Sequence, residues 1–126
     1  MEYSIGEFSE ATGLSTHTLR YYEKEGLLSV GRGRGGQRFY LDSDLRWVEF
    51  IMRLKETGMP LREIKIYADL RAKGDRTLRD RREMLKIHRE HIVAEIKKWQ
   101  GHLCNMDKKI KFYDEETERF ESVTAK

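Results

Sequence analysis

The sequence predicts a mainly α-helical protein in two parts, a small domain of short helices with one hairpin and then a single long helix. Three observations carry this. One proline, Pro60, interrupts a 126-residue chain that is 37% charged, a composition that leans helical. The first forty residues alternate helix-capping serines with glycines, then turn rich in glycine and arginine. From Thr77 onward apolar residues recur every seven positions, the period of a helix that packs along a partner.

Bulk composition narrows the function. Net charge is +3, which permits a polyanionic partner without demanding one. The charge is uneven: residues 30–40 hold Arg32, Arg34 and Arg38 and no acid, whereas residues 114–121 hold five acids and one arginine. A mean hydropathy of −0.78 leaves little apolar material for a large core. The single cysteine, Cys104, excludes an intramolecular disulfide framework and makes a cysteine-cluster metal site implausible, so no metal or cofactor is expected. Met1 leads into a polar segment and not a basic-then-apolar signal. No apolar run approaches the roughly 20 residues needed to cross a bilayer. The expected setting is the cytoplasm, with no membrane partner.

The elements follow in order. Ser4 can cap a helix over IGEFSEAT, with Ile5, Phe8 and Ala11 or Thr12 on one face. Gly13 serves as a left-handed stop, and Ser15 can cap a second helix. Helix, glycine turn and capped helix within about 20 residues make a helix-turn-helix pattern, although an ordinary helical corner reads the same way. LLSVGRGRGGQRFY then supplies two β-capable pieces, residues 28–30 and 38–41, around a glycine-rich tip. A hairpin tipped with arginine directly after a helix-turn-helix is a wing, and arginines without neighbouring acids favour phosphate or minor-groove contact over a solvated loop. Asp42 or Ser43 can cap a third helix whose Trp47, Phe50, Ile51 and Leu54 form an apolar face. Gly58 ends it, and LREIKIYADLRAKG gives a fourth with Leu61, Ile64 and Tyr67 or Ala68 inward.

The long seam comes last. Leu78, Leu85, Ile92, Trp99, Met106 and Tyr113 are seven apart, with Ile96, Leu103 and Ile110 between the later ones, and Arg82 and Arg89 in the equivalent early places. A helix over 77–113 with one apolar stripe cannot be stable alone. The chain offers no second long helix, so the expected partner is another copy. This predicts three segments: residues 1–75 as a winged helix-turn-helix domain, 76–113 as a dimerisation coiled coil, and 114–126 as an acidic, mobile tail. The interface residues are Leu85, Ile92, Ile96, Trp99, Leu103, Met106, Ile110 and Tyr113.

With these parts in this order, the chain resembles the MerR family of bacterial transcription regulators. The carrying pieces are YSIGEFSEATGLS, TLRYYEKEGLL, the wing GGQRFY and LKETGMPLREI, and the resemblance runs over about residues 3–113. It implies a homodimer whose coiled coil is antiparallel, each recognition helix in a major groove of an inverted-repeat promoter, and wings on the flanking backbone. It further implies control of transcription through distortion of promoter DNA, which aligns the two promoter elements for the RNA polymerase holoenzyme. The chain would then be nucleoid-associated.

The resemblance gives roles to particular residues. Ser15, Thr16, His17 and Arg20 open the recognition helix, where base edges are reached. Arg20 could take guanine bidentately or a phosphate. Thr18 and Tyr22 should give hydroxyl contacts to phosphate, and Tyr21 could contact DNA or pack inward. Arg38 and Tyr40 match the wing motif and should touch backbone, with Arg34 at the tip. Lys55 and Arg62 are the phosphate candidates of the second winged region, aided by the amides after Pro60. A solvated face explains Arg53 and Lys65 equally well.

The trigger is less legible. Metal-responsive members of the family carry cysteines that this chain lacks. Drug-responsive ones append a ligand-binding domain, for which the 13 residues after Tyr113 are too few. The compact build and AKGDRT resemble the aldehyde- or thiol-stress branch, yet FIMRLK holds Met52 and Arg53 where that branch commonly has a reactive cysteine. Cys104 is left as a candidate redox thiol, with a structural or neutral role weighed above it. The effector, a small molecule or a stress signal, stays unidentified. An enzyme is not expected: His88, His91 and His102 have no nucleophile or ligand set around them and suit solvated coiled-coil positions. The rival reading is a coiled-coil adaptor with incidental DNA affinity, which accounts for residues 77–113 but not for the arginine wing.

Overall fold

The computed structural model describes residues 2–124. Among them the order is β1 (Glu2–Tyr3), α1 (Ile5–Thr12), α2 (Thr16–Lys24), β2 (Gly31–Arg32), β3 (Arg38–Leu41), α3 (Asp42–Glu56), α4 (Leu61–Ala72), a 3₁₀ turn (Asp75–Thr77) and α5 (Leu78–Thr124). Two compact units divide the chain, one up to Lys86 and one from Ile87.

Local chemistry places the first helices. Ser4 Oγ accepts the Glu7 amide at 3.1 Å while the Glu7 carboxylate accepts the Ser4 amide at 2.8 Å, so two orphan donors of α1 are satisfied reciprocally. Gly13 stops the helix at φ 77°, where any Cβ would be strained. Ser15 Oγ accepts the Thr18 amide at 3.1 Å and opens α2. The wing departs from expectation. Its first strand is Gly31–Arg32 and not residues 28–30, because Leu27 and Leu28 are drawn into the core. A further strand, β1, joins it: the sheet order is β1-β3-β2, antiparallel, with Tyr3 opposite Tyr40, Gly31 opposite Phe39 and Arg32 opposite Arg38. Gly31 admits the Phe39 ring, since a Cβ there would lie 2.2 Å from Phe39 Cζ.

Neither Asp42 nor Ser43 caps α3. The cap position is Leu41, whose amide donates to Asp44 Oδ2 at 2.9 Å, while Asp42 inside the first turn accepts the Tyr3 hydroxyl at 2.7 Å. Phe8, Leu19, Tyr22, Tyr40, Val48, Ile51 and Ile64 form the centre of the core, each large apolar side chain contributing about 1.5–3 kcal/mol by burial. Trp47 closes one side: its indole donates to Leu27 O at 2.6 Å, its ring stacks on Tyr67, and Arg71 lies 4.3 Å over it. The end of α4 is held by Thr77, which donates to Leu70 O and Gly74 O, and by Arg81, which donates to Thr77 Oγ1 and Gly74 O.

Differences also appear along α5. The first compact unit extends past residue 75 to Lys86, because Met84 and Leu85 on the opening turns of α5 pack against the core. Leu85, expected on the seam, is therefore partly buried in that packing. His88, expected in solvent, is buried. The acidic segment expected as a mobile tail is helical through Thr124. No glycine or proline follows Gly101 in that stretch, and Arg119 pairs with Glu116 at 2.7 Å one turn away. At 1.5 Å per residue the 47 residues of α5 run about 70 Å. From Ile96 onward its stripe of Ile96, Trp99, Leu103, Met106, Ile110 and Tyr113 is exposed, and Phe120 continues it by one more heptad.

Candidate nucleic-acid interface

The site is built on α2. Leu19 and Tyr22 stand three apart and point inward, so the opposite face is fixed by helical geometry. That face carries His17, Arg20, Tyr21 and Lys24, all exposed and spaced i, i+3, i+4, i+7. Lys24 was not singled out from the sequence, although this spacing from His17 would have found it. Thr16 and Thr18 are half-buried, and the Ser15 and Thr18 hydroxyls bond to each other at 2.9 Å within the cap.

The adjacent tyrosines separate cleanly. Tyr21 is 40% exposed and Tyr22 1%. The expectation that Tyr22 offers its hydroxyl to phosphate is corrected on this ground: its ring is core. Tyr40 is corrected likewise. It occupies the central strand with 0% exposure, stacked on Phe8 at 4.3 Å and 6°. Burial pushes its phenol above the usual pKa, and its hydroxyl is the one buried side-chain polar atom without a hydrogen-bond partner among the described residues.

The wing turns its basic side chains to the end of α2. Arg34 sits at the tip of the turn, exposed, between Gly33 and Gly36, whose backbone closes the turn at 2.9 Å. Arg32 and Arg38, opposite each other on β2 and β3, both reach Glu23 of α2, at 2.8 and 2.5 Å. The Glu23 carboxylate raises the pKa of Arg38 further still. On the other flank Lys55 lies over the Tyr22 ring at 5.6 Å, and Lys65 of α4 pairs with Glu25 at 2.5 Å. This pair holds the Glu25 carboxyl below its usual range and gives Lys65 a specific partner in place of a merely solvated face. Arg62 is exposed on the first turn of α4, where no side chain caps the helix. The structure thus gathers the α2 stripe, Arg32, Arg38, Lys55 and Lys65 around one helix. Sequence reasoning missed Glu23 and its pairing with Arg32 and Arg38, which only the hairpin creates.

Beyond this face, Cys104 is exposed as a free thiol on α5. No group of three or more His, Cys, Asp or Glu side chains among the described residues is placed to hold a metal ion. No helix among them is long and apolar enough to cross a membrane.

A helix-turn-helix with an outward basic stripe, flanked by a basic wing and continued by a long helix, defines a class: DNA-binding transcription regulators. Residues 3–70 match the MerR helix-turn-helix regulatory protein family and residues 45–101 the MerR DNA-binding region. The chain belongs to the MerR family. A helix-turn-helix transcriptional regulator of Haemophilus influenzae is 36% identical over 90% of this chain and 84% of its own length. AdhR of Bacillus subtilis is 34% identical over 71% of this chain and 65% of its own. Among solved structures, HiNmlR, a MerR family regulator lacking the sensor domain and bound to promoter DNA, superposes with a TM-score of 0.82 at 35% identity, covering 91% of this chain and 92% of that one. A MerR family regulator of Listeria monocytogenes gives 0.84 at 35% identity, covering 89% and 86%.

Proposed function

We propose that the protein acts as a homodimer on an inverted-repeat promoter and controls transcription initiation by distorting that DNA for RNA polymerase. Each copy places α2 in a major groove, where Thr16, His17 and Arg20 reach base edges and Tyr21 and Lys24 reach the backbone. Ser15 and Thr18, at the helix start, face the same groove. The wing arginines, with Arg34 foremost, and then Lys55 and Arg62 contact flanking phosphates. The observation that carries the reading is the stripe His17–Arg20–Tyr21–Lys24 on a helix whose other face is core. The apolar stripe from Ile96 to Tyr113 supports self-association, because so many exposed large side chains in one line mark an interface. The promoter-bound HiNmlR supports the choice of DNA. This reading gives the chain no catalytic chemistry and places it with the nucleoid in the cytoplasm.

Binding to duplexes selected from a random pool by the full-length protein tests it. The expected result is an inverted repeat bound in preference to a scrambled duplex, with affinity falling steeply as salt rises. Equal affinity for all duplexes, or none, would leave the seam as the function of the chain and favour a coiled-coil adaptor.

A further inference from the structure

The most basic part of this surface has an acid at its centre. Glu23 lies one turn beyond Arg20 on α2, facing a wing that carries three arginines and no acid of its own. By charge alone it should weaken binding to a polyanion. Its geometry suggests a different role. One carboxylate oxygen accepts from Arg32 at 2.8 Å and the other from Arg38 Nε at 2.5 Å. Arg32 and Arg38 are direct partners across the β2–β3 ladder, so a single carboxylate spans both strands of the wing and ties them to the recognition helix.

The wing needs such a tie. Strand β2 has two residues, one of them Gly31, and so short a hairpin is marginal on its own. Without Glu23 two like charges would face each other across the ladder, which is destabilising. The tie also leaves the arginines able to work. A guanidinium has five N–H donors, and Glu23 takes one from each. Their side chains remain 45% and 28% exposed.

We propose that Glu23 is a positioning residue for DNA recognition. It touches no DNA itself; it fixes Arg32 and Arg38, and through them the spacing and angle of the wing relative to α2, so that helix and wing engage one site together. The inference rests on the DNA-binding reading above. It predicts an outcome that charge alone does not: removal of an acid from a DNA-binding face lowers specific affinity.

The test uses the full-length protein, the inverted repeat it selects and a scrambled duplex of equal length. Three forms are compared: wild type, Glu23→Gln, and Glu10→Gln, which removes the same charge from an exposed place on α1. Operator affinity of Glu23→Gln is expected to fall about tenfold, the scale of one lost charge-assisted contact, while scrambled-duplex affinity holds or rises. Glu10→Gln should shift both duplexes alike. In a chain that already carries Arg32→Gln and Arg38→Gln, adding Glu23→Gln should cost nothing further. The proposal is overturned if Glu23→Gln tightens both duplexes as Glu10→Gln does. It is overturned equally if Glu23→Gln loses helicity and both affinities together, or if the loss persists in the chain without the two arginines. A wild type with no preferred duplex would overturn the DNA-binding reading, and this inference with it.

Discussion

The two units of the chain treat the same kinds of residue in opposite ways. Up to Lys86 the large apolar side chains converge, and Phe8, Leu19, Tyr22 and Ile64 are almost wholly withdrawn from water. From Ile96 to Phe120 an equally apolar stripe lies on one helix, with Trp99 65% exposed. The first unit finds its partners within its own sequence, because helices of 8 to 15 residues joined by short turns can fold back on one another. The second unit is only the part of α5 from Ile87 onward, and among the described residues it holds no other element to cover the stripe. One unit is completed by folding and the other, in the reading proposed above, by association. Substitutions in the two should therefore break different measurements.

The largest effect is expected in the seam. Trp99→Glu with Leu103→Glu places two charges in the proposed interface, and sedimentation should show a dimer for the wild type and a monomer for the variant. The thermal transition of the first unit should survive. Loss of that transition together with the dimer would mean the two units do not fold separately and would break the comparison.

A smaller effect separates the adjacent tyrosines. Tyr22→Ala should cost about 3–5 kcal/mol in denaturant unfolding, as truncation of a buried aromatic does, with the dimer intact. Tyr21→Ala should leave stability unchanged and lower only DNA affinity. Equal stability loss from both would contradict the division of the helix into inner and outer faces.

The smallest effect concerns pH. Hydrogen bonds from Tyr3 to Asp42, from Lys65 to Glu25 and from Ser4 to Glu7 hold these carboxyls below their usual values. Their contribution is complete above the unfolded values, near 4 to 4.5, and is lost as pH falls through the lower folded values. The melting temperature of the first unit should thus decline only below about pH 4.5. Asp42→Asn should flatten that decline; an unchanged slope would remove Asp42 from the account.

How much was legible in the sequence depended on range. The caps at Ser4 and Ser15 and the stop at Gly13 are settled within four residues, and the sequence showed them. Tyr21 and Tyr22 are identical letters, and only the position of Leu19 relative to the core tells which one turns inward. Tyr40 carries a wing motif but sits in the central strand, and that strand is central only because the distant two-residue β1 pairs with it, Tyr3 opposite Tyr40. The wing's first strand slipped past residues 28–30 because the core claims Leu27 and Leu28. Helix α5 outruns its expected end because a run of acids does not by itself stop a helix that lacks a breaker. The pairing of Glu23 with Arg32 and Arg38 was invisible for the same reason as Tyr40: the hairpin brings together residues that linear spacing separates.

The central claim is that α2 reads DNA while α5 makes the dimer. Arg20→Ala tests it most directly, with operator affinity and sedimentation measured on the same sample at the same salt. The account predicts loss of the preference for the selected inverted repeat over a scrambled duplex, with a dimer indistinguishable from wild type. Retention of the full preference would contradict it, as would loss of the preference only alongside loss of the dimer.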